Sequence, residues 1–367
     1  MKISSKRNKA KVCCYLPELD EKSADHLQHV SDLLRSISDR CDVFLIVTRS
    51  AGQTAPEFAR LFHVNKFAFK PLRMFETLAV FLLARFLGYG AFYIHYSLWN
   101  ALLARVVTCI AGGRVYQWHC HCGESNGEAG SRIMRKLHPL LKSASFRSSD
   151  FVVTASPSVA RWYQEKYGLP GGKFVILPPY VSHTRFVHDL RTRDRSRNGR
   201  KHILFVHTLS KEKGAHHLRR IIPLVLESAP HSRFFVAGRG KYWDEISKLP
   251  NVTMCGAVPN SEMPRIYSDA DLLIMPSEAE GAPHVLLEAM AMGVPFVATD
   301  VGGVAELVGE SLSPFLVPPH NVEAFAGRVV ELLNDRTLAE QMKRLGLERA
   351  RAFTLERSAN QFLAKIR

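Results

Sequence analysis

Short runs of apolar residues alternate with longer amphipathic stretches along the whole chain. The runs are rich in β-branched and aromatic residues, as buried strands are, and the stretches between them have helical spacing, for example over residues 23–37. Strands that alternate with helices indicate a parallel sheet with helical crossovers. The pattern therefore predicts an α/β protein with two doubly wound domains in succession. The runs lie at residues 12–16, 43–47, 92–95 and 115–119 in the first half, and at 202–206, 233–237, 252–255, 272–275, 296–299 and 314–316 in the second.

An arginine-rich stretch separates the two halves. Residues 182–201 contain six arginines and few apolar side chains, which is typical of a solvated connection. We therefore expect a first domain at residues 1–183, a basic linker at 184–200 and a second domain at 201–351. Arginine runs also bind nucleic acid, but aromatic residues for base stacking do not alternate with these arginines, so no nucleic-acid partner is expected.

Length and charge support two domains with different partners. The chain has 367 residues and a net charge of +15, and its length is about twice that of a usual domain. Residues 1–200 hold 30 Lys and Arg against 15 Asp and Glu, whereas residues 201–367 hold 19 of each. A basic half favours an anionic partner, which on composition alone could be nucleic acid, an acidic membrane surface or a phosphorylated substrate.

The cysteines and the amino terminus bear on location. The seven cysteines are an odd number scattered through apolar contexts, which favours reduced, buried thiols over a disulfide framework. The charged segment at residues 1–9 leads directly into a short strand and shows neither a long apolar region nor a cleavage site, so we expect no signal peptide and a cytoplasmic location.

One stretch, residues 66–92, raises the question of a membrane. Its apolar run from Thr77 to Leu87 is broken by Arg85 and is about half the roughly 20 residues that a spanning helix needs. Two interpretations remain open. The stretch is either an ordinary amphipathic helix under the first sheet or an interfacial helix on an anionic membrane, with Lys66, Lys70 and Arg73 at the level of the headgroups.

The segment from Ser268 to Val308 holds the pattern that indicates chemistry. A strand is followed by a loop with Glu280, and Pro283 suits the first turn of the helix that comes next. The free backbone N–H groups of that turn, at His284 and Val285, are expected to form an anion site suited to a diphosphate at the carboxyl edge of a parallel sheet. Glu288 lies about 2.2 turns beyond Glu280, so the two carboxylates can flank a ligand that lies across the helix start.

This segment resembles the E-x7-E signature of the retaining glycosyltransferases of family 4. Glu280 and Glu288 stand at the two signature positions within a matching run of glycines, prolines and small residues. The resemblance implies the GT-B fold, in which two Rossmann-like domains face each other across a cleft and a last helix, here at residues 352–367, crosses back to the first domain. Further similar stretches are residues 210–214, 235–240, 251–259, 115–119 and 150–158.

The resemblance also implies roles for individual residues. Lys213 would neutralise the departing diphosphate, Glu280 and the loop behind it would hold the transferred sugar, and His119 would lie near that sugar. Glu288 would accept hydrogen bonds from the ribose. The catalytic candidates are thus Lys213, Glu280 and His119, and the donor-binding candidates are Thr208, Gly238, Gly256, Val258, Gly281, Pro283, His284, Val285 and Glu288.

No metal is expected in this reaction, because enzymes of the family need none that the protein itself chelates; the nucleotide-sugar is the substrate. Asp269-Ala270-Asp271 has the spelling of a metal motif but precedes a buried strand, which favours a structural role. His119-Cys120-His121-Cys122 suggests zinc, yet alternate residues of a strand face opposite ways, so four ligands could not converge there.

The chain departs from the family pattern at three places. Thr208 stands where an arginine is usual, Pro179-Tyr180 replaces the usual Asn-Gly, and residues 17–24 replace a glycine-rich loop. We expect a retaining hexosyltransferase that moves a sugar from a UDP- or GDP-sugar to a saccharide or lipid-linked saccharide, in the synthesis of cell-surface polysaccharide, such as lipopolysaccharide, or of glycolipid, with peripheral contact to the inner face of the cytoplasmic membrane. The alternative is a catalytically degenerate subunit that binds a partner. A nicotinamide-dependent oxidoreductase is disfavoured, because neither half has G-x-G-x-x-G after its first strand.

Overall fold

The first half of the chain forms a parallel sheet of seven strands in the order β3-β2-β1-β4-β5-β6-β7. The computed structural model describes residues 9–19, 28–50, 54–120, 132–188 and 200–366. The strands of this sheet are β1 (Ala10–Leu19), β2 (Cys41–Ser50), β3 (Leu61–Val64), β4 (Ala91–His95), β5 (Arg114–Trp118), β6 (Phe151–Thr154) and β7 (Phe174–Ile176). Its helices are α1 (Gln28–Ile37), α2 (Lys70–Phe86), α3 (Leu98–Ala111), α4 (Arg132–Ser148) and α5 (Pro157–Tyr167).

Alternation along β1 explains why helices cover both faces of this sheet. Successive residues of a strand point to opposite faces. Val12 and Cys14 pack in one apolar cluster with helix α1, whereas Cys13 and Tyr15 pack in another with helices α2 and α3. Because both faces are apolar, the sheet is stable only when helices cover both, which is the doubly wound arrangement.

The second half forms a parallel sheet of five strands in the order β10-β9-β8-β11-β12. The strands are β8 (His202–Val206), β9 (Arg233–Ala237), β10 (Val252–Gly256), β11 (Leu272–Met275) and β12 (Phe296–Ala298). The helices that follow them are α6 (Leu218–Ser228), α7 (Trp243–Ile246), α8 (Met263–Ser268), α9 (His284–Ala291), α10 (Val304–Val308), α11 (Val322–Asn334) and α12 (Arg336–Ala350). The two-domain α/β prediction is confirmed.

The predicted strand at residues 314–316 is wrong. Ser313–Phe315 form a short 3-10 turn, and only a single parallel bridge, between Thr299 and Val317, continues the sheet. The physical reason is that Pro314 has no N–H to donate to a strand ladder. Another departure is β3, an edge strand that the apolar pattern does not reveal and that exists because it pairs with β2.

The last helix, α13 (Leu355–Ile366), packs on the first domain, as predicted. The Phe362 ring meets the Tyr93 ring edge-on with centroids 5.0 Å apart, and the Tyr116 hydroxyl donates to the carbonyl of Lys365 at 2.6 Å. The N–H of Val181 donates to the carbonyl of Phe353 at 3.1 Å, where the two crossing segments meet. The chain therefore passes between the domains twice, which ties the two sheets together.

Further contacts join the two domains. The Glu306 carboxylate accepts a hydrogen bond from the N–H of Ser158 at 3.0 Å and pairs with Arg161 at 3.1 Å. Arg185, at the start of the predicted linker, pairs with Asp32 of α1 at 2.8 Å, and Phe186 is buried in the core of the second domain. Residues 189–199 of that linker lie outside the described residues.

Candidate active site

A cavity of about 350 Å³ opens at the carboxyl ends of the strands of the second sheet. It lies where the strand order reverses, between β8 and β11, which is the place where doubly wound sheets bind ligands. Six of the donor-binding candidates line it: Thr208, Gly238, Val258, His284, Val285 and Glu288. The other residues of the lining are His29, Val206, His207, Ala237, Arg239, Ala257, Asn260 and Met263.

Helix α9 presents its amino terminus to this cavity. Pro283 is the N-cap, in an extended conformation with φ −70° and ψ 114°, and makes no side-chain capping bond. The N–H groups of a helix's first turn have no partner within that helix, and the helix dipole favours negative charge at this end. The arrangement can hold a phosphate or diphosphate.

Glu288 lies on the same helix and is almost completely buried, yet it contributes to the cavity wall. The Tyr267 hydroxyl donates to its Oε2 at 2.9 Å. Burial raises the pKa of the Glu288 carboxyl to about 7, although this hydrogen bond and Arg185 act against the rise. The group is therefore close to half ionised at neutral pH.

Glu280 is buried to a similar degree, but a charged side chain lies against its carboxylate. Its Oε2 accepts a hydrogen bond from the Lys213 ammonium at 2.7 Å, and its Oε1 accepts one from the Ser277 hydroxyl at 2.8 Å. Burial alone would raise its pKa, but Lys213, His207 and Ser277 together hold the pKa of the Glu280 carboxyl below its ordinary value. Lys213 and Glu280 thus form an ion pair beside the cavity rather than in its wall.

His207 lies between this pair and the cavity. Its Nε2 is 3.3 Å from Glu280 Oε1, but burial lowers the pKa of His207 to about 4, so the imidazole is neutral near pH 7 and the contact is not an ion pair. Lys213 is accordingly the cation that balances Glu280.

His119 follows β5 and is buried among aromatic rings of the first domain. The Tyr163 hydroxyl bonds its Nδ1, and the rings of Tyr96 and Phe146 meet the imidazole edge-on. His119 does not line the cavity. The structure therefore places this candidate outside the cavity wall.

The loop after Glu280 touches the first domain directly beyond His119. A Cβ at Gly281 would lie 1.9 Å from the carbonyl oxygen of Cys120, closer than atoms can approach. Glycine is therefore required for this contact between the domains. Gly256 is the last residue of β10 and lies beside the Arg239 guanidinium, and a Cβ there would lie 3.5 Å from it.

Two family models match the chain. Residues 28–185 match the model described as Glycosyltransferase Family 4, and residues 188–349 match the one described as Glycosyl transferases group 1. The chain belongs to glycosyltransferase family 4. This agrees with the resemblance found in its sequence.

Curated relatives of this family-4 chain include two enzymes from Mycobacterium tuberculosis. It is 26% identical to a glycogen synthase over 234 residues, which are 62% of this chain and 56% of the relative. It is 30% identical over 219 residues, 54% of this chain and 57% of the relative, to a GDP-mannose-dependent alpha-(1-6)-phosphatidylinositol monomannoside mannosyltransferase. The chain thus spans about half the length of the curated relatives it matches.

A solved structure shows the fold of this family-4 chain. The Anabaena protein HepE, in complex with UDP and glucose, is similar with a TM-score of 0.75 at 14% identity, covering 97% of this chain and 99% of that chain. The architecture is the GT-B fold, with two parallel-sheet α/β domains.

Arg239 and His29 are two of the eight cavity-lining residues that were not among the sequence candidates. Arg239 contributes a guanidinium to the wall that also contains Thr208, the position where an arginine is usual. Its place between Gly238 and Gly240 could have indicated it, because a cation in a glycine turn after a strand lies at the ligand edge of the sheet. His29 reaches the cavity from α1 and stacks on His284 with centroids 3.5 Å apart, a contact that no local pattern reveals.

The structure describes the whole of one metal-like motif, residues 269–271, but only part of the other, residues 119–122. Asp271 accepts a hydrogen bond from the backbone N–H of His202 at 2.8 Å, which supports its structural interpretation. In the other motif, His121 and Cys122 lie outside the described residues.

Proposed function

We propose that this chain is a glycosyltransferase that moves a sugar from a UDP- or GDP-sugar to a saccharide or lipid-linked saccharide, with retention of the anomeric configuration. The observation that carries the proposal is the cavity at the start of α9, with Glu288 in its wall and the Lys213–Glu280 pair beside it. The relatives add support, since one is named as GDP-mannose-dependent and a structural neighbour contains UDP and glucose.

In this proposal the donor diphosphate lies over the N–H groups of His284 and Val285. The bond between the anomeric carbon and the phosphate oxygen breaks, the acceptor hydroxyl oxygen forms the new bond on the same face of the sugar, and its proton passes to the departing phosphate. Negative charge therefore grows on the diphosphate, where preorganised donors and cations lower the barrier most. Lys213 and the helix start supply this stabilisation, and Glu280 holds Lys213 in place.

The remaining donor contacts follow from the cavity wall. Glu288 accepts hydrogen bonds from the ribose hydroxyls, and the chain around Gly256 and Val258 faces the base. Arg239 supplies the cation that Thr208 does not, which favours an active enzyme over a degenerate subunit. His119 lies near the transferred sugar, behind the contact of Gly281 with Cys120.

Helix α2 supports a lipid-linked acceptor. One face, with Val80, Phe81 and Ala84, is buried under the first sheet. The other exposes large apolar side chains, among them Phe75 at 72% and Phe86 at 88%. The buried face agrees with an amphipathic helix under the sheet, and the exposed apolar face supports the proposal of an interfacial helix.

The surroundings of α2 complete this surface. Basic side chains lie at its start, and a membrane-spanning helix is absent from the described ranges. Exposed aromatic and basic side chains together suit the interface of an anionic bilayer, such as the inner face of the cytoplasmic membrane. A lipid-linked acceptor at such a surface would belong to glycolipid or cell-surface polysaccharide synthesis.

The proposal is tested first by thermal shift with UDP-, GDP-, ADP- and dTDP-sugars, because a donor that binds the folded state raises the melting temperature. We expect one UDP- or GDP-sugar to stabilise the protein and to be consumed when an acceptor is added, with the anomeric configuration of the product read by NMR. Binding without turnover would favour the degenerate subunit, and an inverted product would contradict retention.

Membrane contact is tested by sedimentation with vesicles that contain phosphatidylglycerol, at low and high salt. We expect binding that weakens with salt and is lost in Phe75→Ser/Phe86→Ser. The control is Leu249→Ser, in the second domain. Equal binding by the α2 variant would contradict this part of the proposal.

A further inference from the structure

Three histidines and one glutamate from separate loops meet outside the donor cavity. His216 and His217 form a 3-10 turn with Ala215, three positions after Lys213. Glu278 lies in the loop after β11, two positions before Glu280, and His320 lies before α11. None of these four side chains contributes to the donor cavity wall.

The distances in this cluster are those between ligands of one metal ion. Glu278 Oε1 lies 3.1 Å from His216 Nε2, 3.4 Å from His217 Nε2 and 3.6 Å from His320 Nδ1. Tetrahedral ligands about 2.1 Å from a zinc ion are separated from one another by about 3.4 Å. The ligand atoms of His216, His217 and Glu278 all lie within 4.8 Å of one another, so a single ion can reach them all.

Hydrogen bonding alone explains the cluster poorly. His217 Nε2 is buried and, within the described ranges, its nearest acceptor is the Glu278 carboxylate at 3.4 Å, a separation too long for a well-formed hydrogen bond. Two imidazoles turned towards one carboxylate are the donor set of many zinc sites.

We propose that His216, His217 and Glu278 bind a zinc ion, with His320 as the fourth ligand. The His320 side chain is 65% exposed and can turn towards the ion without disturbing the core. Imidazole and carboxylate ligands suit zinc, which among the common divalent ions of the cell binds such sites tightly.

The site would join the loops that carry the catalytic candidates. The N–H of Glu278 donates to the carbonyl of Glu212 at 2.8 Å, so the two loops are already in contact. An ion held by His217 and Glu278 would add a second link between these two loops, in addition to the Lys213–Glu280 pair. The inference does not depend on the transfer reaction, because its readouts are metal content and stability.

The experiment uses the full chain without a histidine tag, stripped with a chelator, dialysed against zinc and analysed for bound metal. We expect one zinc ion per chain and a higher melting temperature than in the stripped protein. His217→Ala and Glu278→Gln should retain none and should melt like the stripped wild type. The control is His231→Ala, an exposed histidine of the same domain, which should behave like the wild type.

If His217→Ala and Glu278→Gln fail to fold, His320→Ala keeps the test decisive, because the His320 side chain is exposed. This variant should bind zinc more weakly, with little change in the melting temperature of the zinc-free protein. A wild type that retains no zinc would overturn the proposal. Equal zinc in His217→Ala, Glu278→Gln and the wild type would also overturn it, since the ion would then lie elsewhere, for example at residues 119–122.

Discussion

Glu280 and Glu288 are eight positions apart and equally buried, at 4% and 5% exposure, yet their surroundings drive them to opposite states. Lys213 lies against Glu280 and, with its neighbours, lowers the pKa of that carboxyl despite its burial. Glu288 has the Tyr267 hydroxyl as its hydrogen-bond donor, and burial raises its pKa to about 7. The comparison teaches that the partner, rather than the burial, decides the charge of each carboxyl. Glu280 is suited to holding a cation, and Glu288 to accepting hydrogen bonds that depend on pH.

Among the predicted effects, Lys213→Ala should have the largest, because it removes the cation that makes Glu280 differ from Glu288. Without the ammonium, Glu280 would be buried and uncompensated, and its pKa should rise as that of Glu288 does. We expect transfer to fall about 10³-fold, because the departing diphosphate also loses its cation. Initial rates with the best donor measure this loss. The control is the exposed neighbour Lys211→Ala, and an equal rate loss in both variants would contradict the role of Lys213.

Gly281→Ala tests how the burial of Glu280 is maintained. The added methyl group would collide with the Cys120 carbonyl, so the loops must separate and admit water. We expect turnover to fall about 10²-fold through misplacement of the reacting groups, while donor affinity changes little. Stopped reactions and donor titrations separate the two effects. Gly327→Ala, in open space on α11, should keep its rate; a normal rate in Gly281→Ala would show that the contact is dispensable.

The pH dependence of stability should differ in sign between the two carboxyls. The raised pKa of Glu288 costs stability as the pH rises from the unfolded value of about 4.3 to about 7, so Glu288→Gln should gain up to roughly 3 kcal/mol over the wild type near pH 8 and little near pH 4. The lowered pKa of Glu280 contributes stability above the unfolded value, so Glu280→Gln should lose stability near pH 8, and less of it in acid. Urea unfolding across this range measures both. Parallel curves for the two variants would contradict the comparison.

The smallest of the predicted effects is the change of donor affinity with pH. If ribose hydroxyls donate to the Glu288 carboxylate, affinity should rise about tenfold between about pH 6 and pH 8 as the group ionises around pH 7. Calorimetric titration with UDP or GDP measures this, and Glu288→Gln should bind with a flat profile. A rise that persists in the variant would have to come from another group, such as the diphosphate.

Much of the fold could be predicted because its signals are local. The runs at residues 202–206, 233–237 and 272–275 became β8, β9 and β11 with unchanged bounds. The strand predicted around Pro314 was wrong, because a proline cannot join a ladder. The edge strand β3 was missed because pairing with β2, rather than its own composition, makes it a strand.

The sequence predicted the residues at the start of α9 better than the residues that surround them in the cavity. Pro283, the helix start and Glu288 belong to one strand-helix unit, so their spacing placed the anion site at the edge of the sheet. Arg239 could have been placed from its glycine turn after β9, whereas His29 could not, since it reaches the cavity from α1 of the other domain. The position of His119 near the sugar stays a prediction; the aromatic rings that bury it come from other elements, so its strand position does not reveal them.

The sequence by itself determined the alternation of strands and helices, the two domains and the family, because each depends on spacing within short segments. Tertiary structure alone decided that Lys213 pairs with Glu280, that Tyr267 donates to Glu288 and that two loops bring His216, His217 and Glu278 together. The physical reason is that the charge and chemistry of a buried group depend on neighbours that are distant along the chain, and only packing chooses those neighbours.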